Sequence, residues 1–134
     1  MKYEIDYTLH PIGFVESSIV NREEAPSQGH EGAPDVWITF NKNISEGLAD
    51  IRVSEEIIIL TWFHQAKRDV LKLHPRWDKK NPLTGVFSTR SPDRPNPIGL
   101  HQVRVLQIKD NSIKVAALEA IDGTPVLDIK PVLN

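Results

Sequence analysis

A chain of 134 residues, 40% of them hydrophobic and 25% charged, has the size and composition of one globular domain. It contains no cysteine, which excludes disulfides, thiolate nucleophiles and thiolate metal sites. No apolar run approaches the roughly 20 residues of a membrane span, and the acidic N-terminal stretch MKYEIDYTLH is unlike a signal peptide. We therefore expect a cytoplasmic protein with no membrane partner.

The N-terminal part of the chain is predicted to hold three strands and one long loop. Residues 3–9 alternate apolar and polar side chains, as a half-buried strand does. A second strand is predicted over residues 12–20 and a third over Val36–Phe40. Between these two strands, residues 21–35 are polar and lack periodicity, which predicts a loop of a length that is often functional.

The middle of the chain is predicted to contain a short helix, a buried strand and a basic segment. Residues 44–51 carry apolar residues at helical intervals, and Ser45 is placed to cap the helix. Residues 56–63, EIIILTWF, are typical of a strand covered on both faces. Residues 66–81 are predicted to form a loop or a broken helix, because Pro75 interrupts them.

Strand patterns return in the C-terminal part. Residues 83–91 alternate again, and residues 102–118 predict a hairpin with its turn at Asp110 and Asn111. Residues 122–133 predict a turn and a last strand. About seven strands with one or two short helices indicate a mainly β fold, a small antiparallel β-barrel in which closure removes the exposed edges.

Positive charge is concentrated in residues 67–94. This segment has eight basic and three acidic residues, a net charge of +5, whereas the remainder has eight basic and fifteen acidic residues, a net charge of −7. Such a stretch is typical of a site for phosphate or another anion. Charge alone is equally compatible with a solvated basic loop.

The stretch STRSPDRPNPIG, residues 88–99, contains three prolines within six residues. Proline fixes its own φ and favours extended conformations in the residue before it, so Ser91, Arg94 and Asn96 are predicted to be held extended. Carbonyl groups beside the prolines are then possible free acceptors. The alternatives are a stiff structural loop and a polyproline ligand for another domain.

Two further motifs are candidates for ligand contact. IDGTPVLD, residues 121–128, contains an Asp-Gly turn whose oxygens and backbone donors could reach a ligand, or which is only a turn. His64 and Gln65 follow a predicted buried strand. No second histidine stands at metal-ligand spacing from His64, so we predict no metal site.

The sequence TGVFSTRSPDRPNPIGL followed by DGTPVLDIKP resembles the signature pair of the TsaA-like family, also called YaeB or TrmO, over nearly all of the chain. The resemblance implies a small antiparallel β-barrel that binds S-adenosylmethionine. It further implies methylation of the N6 amine of threonylcarbamoyl-adenosine, next to the anticodon of tRNA, by a homodimer. Bacterial members carry a C-terminal domain that we expect to be absent here, leaving one TsaA-like domain over residues 1–134.

The resemblance also implies a set of cofactor contacts, which are assigned to the residues of this chain that match the family's motifs. The first loop of the family often contains Arg-Gln-Pro where this chain has SQGHEG, and the closing DIKPY reads DIKPV here. The implied cofactor-binding residues are Gln28, Gly29, His30, His64, Gln65, Arg90, Leu100, Asp122, Gly123, Thr124 and Pro125.

The last predictions concern the catalytic mechanism, the contacts with RNA and two alternative functions. Asn96 is predicted as the catalytic residue, by analogy with Asn-Pro pairs that accept the amine hydrogens in unrelated amine methyltransferases. Four basic residues are predicted to contact tRNA phosphates, with no DNA partner expected: Arg76, Lys79, Lys80 and Arg94. The alternatives are a non-catalytic S-adenosylmethionine-binding module or sensor, and a simple RNA-binding barrel. Only nine residues are aromatic, which disfavours the stacking surface that the last alternative needs.

Overall fold

The computed structural model describes residues 7–25 and 32–133. In chain order the strands found there are β1 (Gly13–Glu16), β2 (Val36–Phe40), β3 (Glu56–Trp62), β4 (Lys72–Leu73), β5 (Thr84–Gly85), β6 (Ile98–Lys109), β7 (Ser112–Val115) and β8 (Pro125–Pro131). Short 3₁₀ helices cover Arg22–Glu24, Lys42–Leu48, Pro75–Trp77 and Val86–Ser88. No helix in the described ranges is both long enough and apolar enough to cross a membrane.

The longer strands close into an antiparallel barrel in the order β1-β2-β7-β6-β3-β8, and β8 pairs back with β1. The seam places Gly13 opposite Val126 and Phe14 opposite Pro125. Closure gives each strand a neighbour on both sides, so few backbone donors and acceptors are left at an edge. The strands β4 and β5 form a separate two-stranded sheet. The predicted fold class, a mainly β protein with a small antiparallel barrel, is confirmed.

The barrel interior is aliphatic. Buried and exposed positions alternate along β3 and along the first part of β6, so that one side of each strand packs inward. Ile38, Ile59, Val105, Val115 and Val126 are completely buried there. Full burial of such a side chain stabilises a fold by about 1.5–3 kcal/mol. The core therefore lies inside the barrel, which leaves the outer wall available for other contacts.

The period-two patterns located most strands. The strand predicted at Val36–Phe40 is observed with those bounds, and the buried strand predicted at residues 56–63 is β3. The predicted hairpin is confirmed as β6 and β7, with Asp110 in the left-handed region at φ 53° in its turn, although β6 begins earlier, at Ile98. Of the strand predicted over residues 3–9, residues 3–6 lie outside the described part and 7–9 form no strand.

The predicted helix is a 3₁₀ helix, Lys42–Leu48. Its apolar residues pack against the core, as their spacing predicted: Ile44, Leu48 and the following Ile51. The cap position is Asn41 and not Ser45, so the predicted cap is wrong. The Asn41 side chain instead donates to the main-chain oxygen of Pro11 at 3.0 Å, which ties the helix to the chain before β1.

Residues 63–97 leave the barrel after β3 and return to it as β6. The part predicted as a loop or broken helix contains β4 and a 3₁₀ helix in which Arg76 has a φ of 60°. The alternating pattern of residues 83–91 forms only the two-residue strand β5, followed by the 3₁₀ helix Val86–Ser88. This segment is irregular, and it builds most of the site described below.

Gly99 on β6 lies opposite Thr61 of β3 and packs closely against it. A Cβ placed there would meet the Thr61 hydroxyl and the Phe63 ring. We expect Gly99→Ala to lower the free energy of unfolding by about 1–3 kcal/mol, because overpacking forces neighbouring side chains to shift. Thermal and urea unfolding measure the loss. Gly47→Ala is the matched control, since a Cβ at Gly47 meets nothing within 4 Å; equal stability of both variants would contradict the prediction.

Candidate functional site

A cleft of about 1050 Å³ lies outside the barrel, between its wall and residues 63–97. The floor is apolar: Leu60, Ile98 and Leu100 line it from strand positions that alternate with core positions, and Phe63 joins them. The lining includes five basic and three acidic residues, a formal charge of +2: Arg22, Lys67, Arg76, Arg90, Arg94, Glu23, Asp93 and Glu119. The cleft thus combines an apolar surface with charges of both signs.

The carboxylate of Asp93 joins three parts of the cleft wall. Asp93 is only 2% exposed. Its Oδ2 accepts a hydrogen bond from the Arg22 guanidinium at 2.9 Å, and its Oδ1 accepts one from the main-chain N–H of Lys67 at 2.8 Å. The main-chain N–H of Arg94 donates in turn to the Lys67 carbonyl at 3.0 Å. A buried carboxylate must be paired and hydrogen-bonded, and here the pairing also fixes the wall.

Arg94 braces the loop in which it lies. Its Nη2 donates to the main-chain oxygens of Val86, at 2.6 Å, and Thr89, at 2.8 Å, while its Nε is buried without a hydrogen-bond partner. The guanidinium is therefore engaged with the protein itself on one side. The phosphate contact predicted for Arg94 stays a prediction, and the observed bonds give this residue a structural role.

Arg68, which the sequence did not single out, clamps the proline stretch. Its Nε donates to the Pro95 carbonyl at 2.7 Å and its Nη2 to Asn96 Oδ1 at 2.9 Å. The guanidinium lies over the Trp62 ring, 5.1 Å from the centroid, in a cation–π arrangement. Arg68 thus connects residues 95 and 96 to the end of β3.

The acceptors around Asn96 are used within the chain. The Asn96 carbonyl accepts from the Ile98 N–H at 2.7 Å, and the Pro97 carbonyl accepts from the Phe63 N–H at 2.8 Å. The Asn96 side chain is exposed and does not line the cleft. The predicted catalytic role of Asn96 stays a prediction, but these contacts favour a role in holding the segment.

The cleft brings together five of the predicted cofactor residues from separate parts of the chain: His64, Gln65, Arg90, Leu100 and Thr124. The Arg90 guanidinium forms no hydrogen bond or ion pair with any described residue, so all its donors face solvent or a ligand. Gln28, Gly29 and His30 lie outside the described residues.

Three predicted cofactor residues lie instead at the barrel seam. Asp122 Oδ1 accepts from the Ser17 N–H at 3.0 Å. Gly123 has a φ of 81°, and its N–H donates to the Val15 carbonyl at 2.8 Å. Pro125 begins β8 opposite Phe14. None of the three lines the cleft, whereas the neighbouring Thr124 borders it with a fully buried side chain. Their direct contact with a cofactor stays a prediction.

A buried polar chain was missed by the sequence analysis. His101 Nε2 lies 2.8 Å from the Thr61 hydroxyl, and His101 Nδ1 lies 2.8 Å from Glu119 Oε1, where Glu119 lines the cleft. The available signal was a histidine at an inward position of an alternating strand. In the described ranges no three His, Asp or Glu side chains are grouped as metal ligands.

The basic residues predicted to bind RNA occupy different places. Arg76 lines the cleft, whereas Lys79 and Lys80 lie outside it with exposed side chains. The Lys80 N–H donates to Asp78 Oδ1 at 2.9 Å, which orders the turn but leaves the ammonium group in solvent. The RNA contacts predicted for Arg76, Lys79 and Lys80 stay a prediction.

Comparison with known proteins places the chain in a family. Residues 14–134 match the family model described as the tRNA-methyltransferase O N-terminal domain. An S-adenosyl-L-methionine-binding protein of Archaeoglobus fulgidus is 42% identical over 91% of this chain and 86% of its own length. A probable S-adenosyl-L-methionine-binding protein of that organism is also 42% identical over 92% of this chain, which spans only 33% of the relative.

A solved structure agrees with the sequence relatives. The crystal structure of TrmO from Pseudomonas aeruginosa has a TM-score of 0.73 and 27% identity to this chain, over 96% of this chain and 57% of the other. The chain therefore spans little more than half of that protein. The names of the sequence relatives agree with the cofactor expected from the resemblance. With the fold, the motifs and the match over residues 14–134 in accord, this chain belongs to the tRNA-methyltransferase O N-terminal domain family.

Proposed function

We propose that the chain binds S-adenosylmethionine in the cleft and is the cofactor-binding domain of a methyltransferase. Its proposed substrate is the N6 amine of threonylcarbamoyl-adenosine next to the anticodon of tRNA, in the cytoplasm. One observation carries the proposal: five of the eleven residues that the family resemblance assigned to the cofactor, from separate segments, line a single cleft. Residues 1–134 are proposed to form one domain that acts as a homodimer.

The lining of the cleft fits the chemistry of S-adenosylmethionine. The apolar floor with Leu100 and Ile98 suits a planar adenine ring, and Arg90 can present two parallel N–H groups to a carboxylate. Thr124 is not a free donor there, since its hydroxyl donates to the Ile121 carbonyl at 2.6 Å. When bound, S-adenosylmethionine supplies an electrophilic methyl group on a positively charged sulfur.

The part of the chain itself in such a reaction is positioning. The N6 nitrogen of threonylcarbamoyl-adenosine is a weak nucleophile, because its lone pair is delocalised into the ring and the carbamoyl group. Alignment of this nitrogen with the methyl carbon is therefore the main contribution that a rigid cleft makes. The Asp93 and Arg68 contacts hold the wall in one geometry before any ligand arrives. Preorganisation of this kind reduces the ordering cost of binding.

A non-catalytic S-adenosylmethionine-binding module or sensor is the second candidate function. It is favoured by the position of Asn96, whose side chain lies outside the cleft lining and whose Oδ1 already accepts one hydrogen bond from Arg68. The two candidates share the cofactor site and differ in methyl transfer, which mass spectrometry of tRNA nucleosides incubated with the protein detects.

Binding of S-adenosylmethionine to the purified chain should be measurable by calorimetry, and Arg90→Gln should weaken it. Loss of one charge-assisted contact corresponds to about 10- to 100-fold in Kd, from about 1.5–3 kcal/mol. Arg104→Gln is the matched control, because Arg104 lies on β6 outside the cleft, 3.8 Å from Glu56. Flat heats and no thermal protection of the unaltered chain would remove the proposed function.

Asn96→Ala is expected to lower S-adenosylmethionine affinity slightly, and Arg68→Met is expected to lower it more, because Arg68 also donates to the Pro95 carbonyl and lies over the Trp62 ring. Each substitution removes the hydrogen bond between the Arg68 guanidinium and Asn96 Oδ1, and one such bond corresponds to about 2- to 10-fold in Kd. Calorimetry measures the affinities and single-turnover methylation measures the chemical step. A large loss of methyl transfer in Asn96→Ala with unchanged affinity would instead establish the catalytic role.

Replacement of Lys79 and Lys80 together by alanine should reduce the salt dependence of tRNA binding. Each phosphate contact releases counterions, so the slope of log K against log salt should become shallower by about one to two units. Lys42 and Lys109, replaced together, provide a control outside the basic segment. An unchanged slope in the Lys79, Lys80 variant would show that this surface does not meet RNA phosphates.

A further inference from the structure

Glu119 presents a held carboxylate to the cleft. Its side chain is 15% exposed, and Oε1 accepts a hydrogen bond from His101 Nδ1 at 2.8 Å. Within the described residues the second oxygen, Oε2, has no hydrogen-bond or ion-pair partner. That oxygen is not sealed from the cleft, so it is open to water or to a donor on a bound ligand.

His101 fixes the direction of that carboxylate. The imidazole is 1% exposed, lies edge-on to the Phe63 ring at 5.7 Å between centroids, and has its Nε2 2.8 Å from the Thr61 hydroxyl. A neutral imidazole satisfies both contacts when Nδ1–H donates to Glu119 and Nε2 accepts from Thr61. Both ring nitrogens are then used, so His101 cannot rotate without breaking two bonds in the barrel wall.

Among the described residues no arginine or lysine forms an ion pair with the Glu119 carboxylate, which is paired with His101 alone. Asp93 neutralises Arg22, and Arg94 donates to main-chain carbonyls. Arg90 makes no ion pair with any described carboxylate, Glu119 included. The cleft therefore offers an unpaired guanidinium and a separate, oriented carboxylate, an arrangement complementary to a zwitterion. An amino-acid end group, with its carboxylate and ammonium, has that chemistry.

We propose that Glu119 binds the ammonium group of the amino-acid end of the cleft ligand, and that His101 and Thr61 are positioning residues for it. This inference rests on the proposed function, in which the ligand is S-adenosylmethionine. It adds a ligand-binding residue upstream of the Asp-Gly turn that the motif did not include, and it assigns a use to the buried histidine.

Glu119→Gln tests the assignment with three probes measured by calorimetry: S-adenosylmethionine, S-adenosylhomocysteine and 5′-methylthioadenosine, which lacks the amino-acid end. We expect the first two to bind about 10- to 100-fold more weakly and the third to change less than about twofold. Glu46→Gln removes an exposed carboxylate outside the cleft, on the 3₁₀ helix Lys42–Leu48, and should change none of the three by more than about twofold.

Each other result overturns the inference in a distinct way. Equal weakening of all three probes would place Glu119 at the adenosine part or in folding, and weakening of S-adenosylmethionine alone would place it at the sulfonium. Unchanged binding in Glu119→Gln overturns the inference while the proposed function stands. No binding of any probe by the unaltered chain overturns both.

The positioning role of His101 is tested by the ratio of the affinities for S-adenosylhomocysteine and 5′-methylthioadenosine. A general loss of stability weakens the binding of both probes alike and leaves this ratio unchanged. His101→Leu should reduce the preference for S-adenosylhomocysteine over 5′-methylthioadenosine about tenfold, whereas His101→Asn, with an amide N–H near the Nδ1 position, should retain most of it. Thermal unfolding verifies that both variants fold. An unchanged preference in a folded His101→Leu would exclude the positioning role.

Discussion

The cleft depends on one buried carboxylate. Asp93 accepts from the Arg22 guanidinium and from the Lys67 main chain, and so it joins the segment before β2, the chain after β3 and the proline stretch before β6. Removal of one partner from such a pair leaves an uncompensated buried charge, which costs roughly 3–5 kcal/mol. The apolar barrel supplies a fixed wall, and the side of the cleft that faces it is held by this paired carboxylate together with the Arg68 and Arg94 contacts.

Stability and ligand binding are thereby divided between two parts of one chain. The barrel interior is built from completely buried Ile and Val side chains and closes on itself through the β1–β8 seam. Residues 63–97 hold few buried apolar side chains, Val86 among them, and are ordered by polar contacts from Arg68, Asp93 and Arg94. A site built in this way can carry unpaired charges, because the core that maintains the fold does not include them.

The sequence predicted the strands of the barrel far better than it predicted residues 63–97, which leave the barrel and return to it. Val36–Phe40 and the β6–β7 hairpin follow a simple alternation, which a closed barrel with one buried face enforces. Residues 83–91 alternate as well, yet the Val86 N–H bonds to the Leu71 carbonyl, and a 3₁₀ turn starts there. The role of His101 depends on its contacts with Thr61 and Glu119, which are 40 and 18 residues away in sequence. Pairwise contacts of that kind leave no local pattern.

The motif DGTP, residues 122–125, contains both a residue that borders the cleft and residues that hold the turn before β8. Asp122 and Gly123 secure the turn against Ser17 and Val15, and the positive φ of Gly123 requires a residue without a side-chain clash. That turn fixes the point at which β8 enters the barrel, and with it the adjacent cleft residues Ile121 and Thr124. Sequence resemblance alone cannot distinguish residues that border the cleft from residues that hold the turn, because the site needs both. In the structure Ile121 and Thr124 border the cleft, whereas Asp122 and Gly123 bond across the seam.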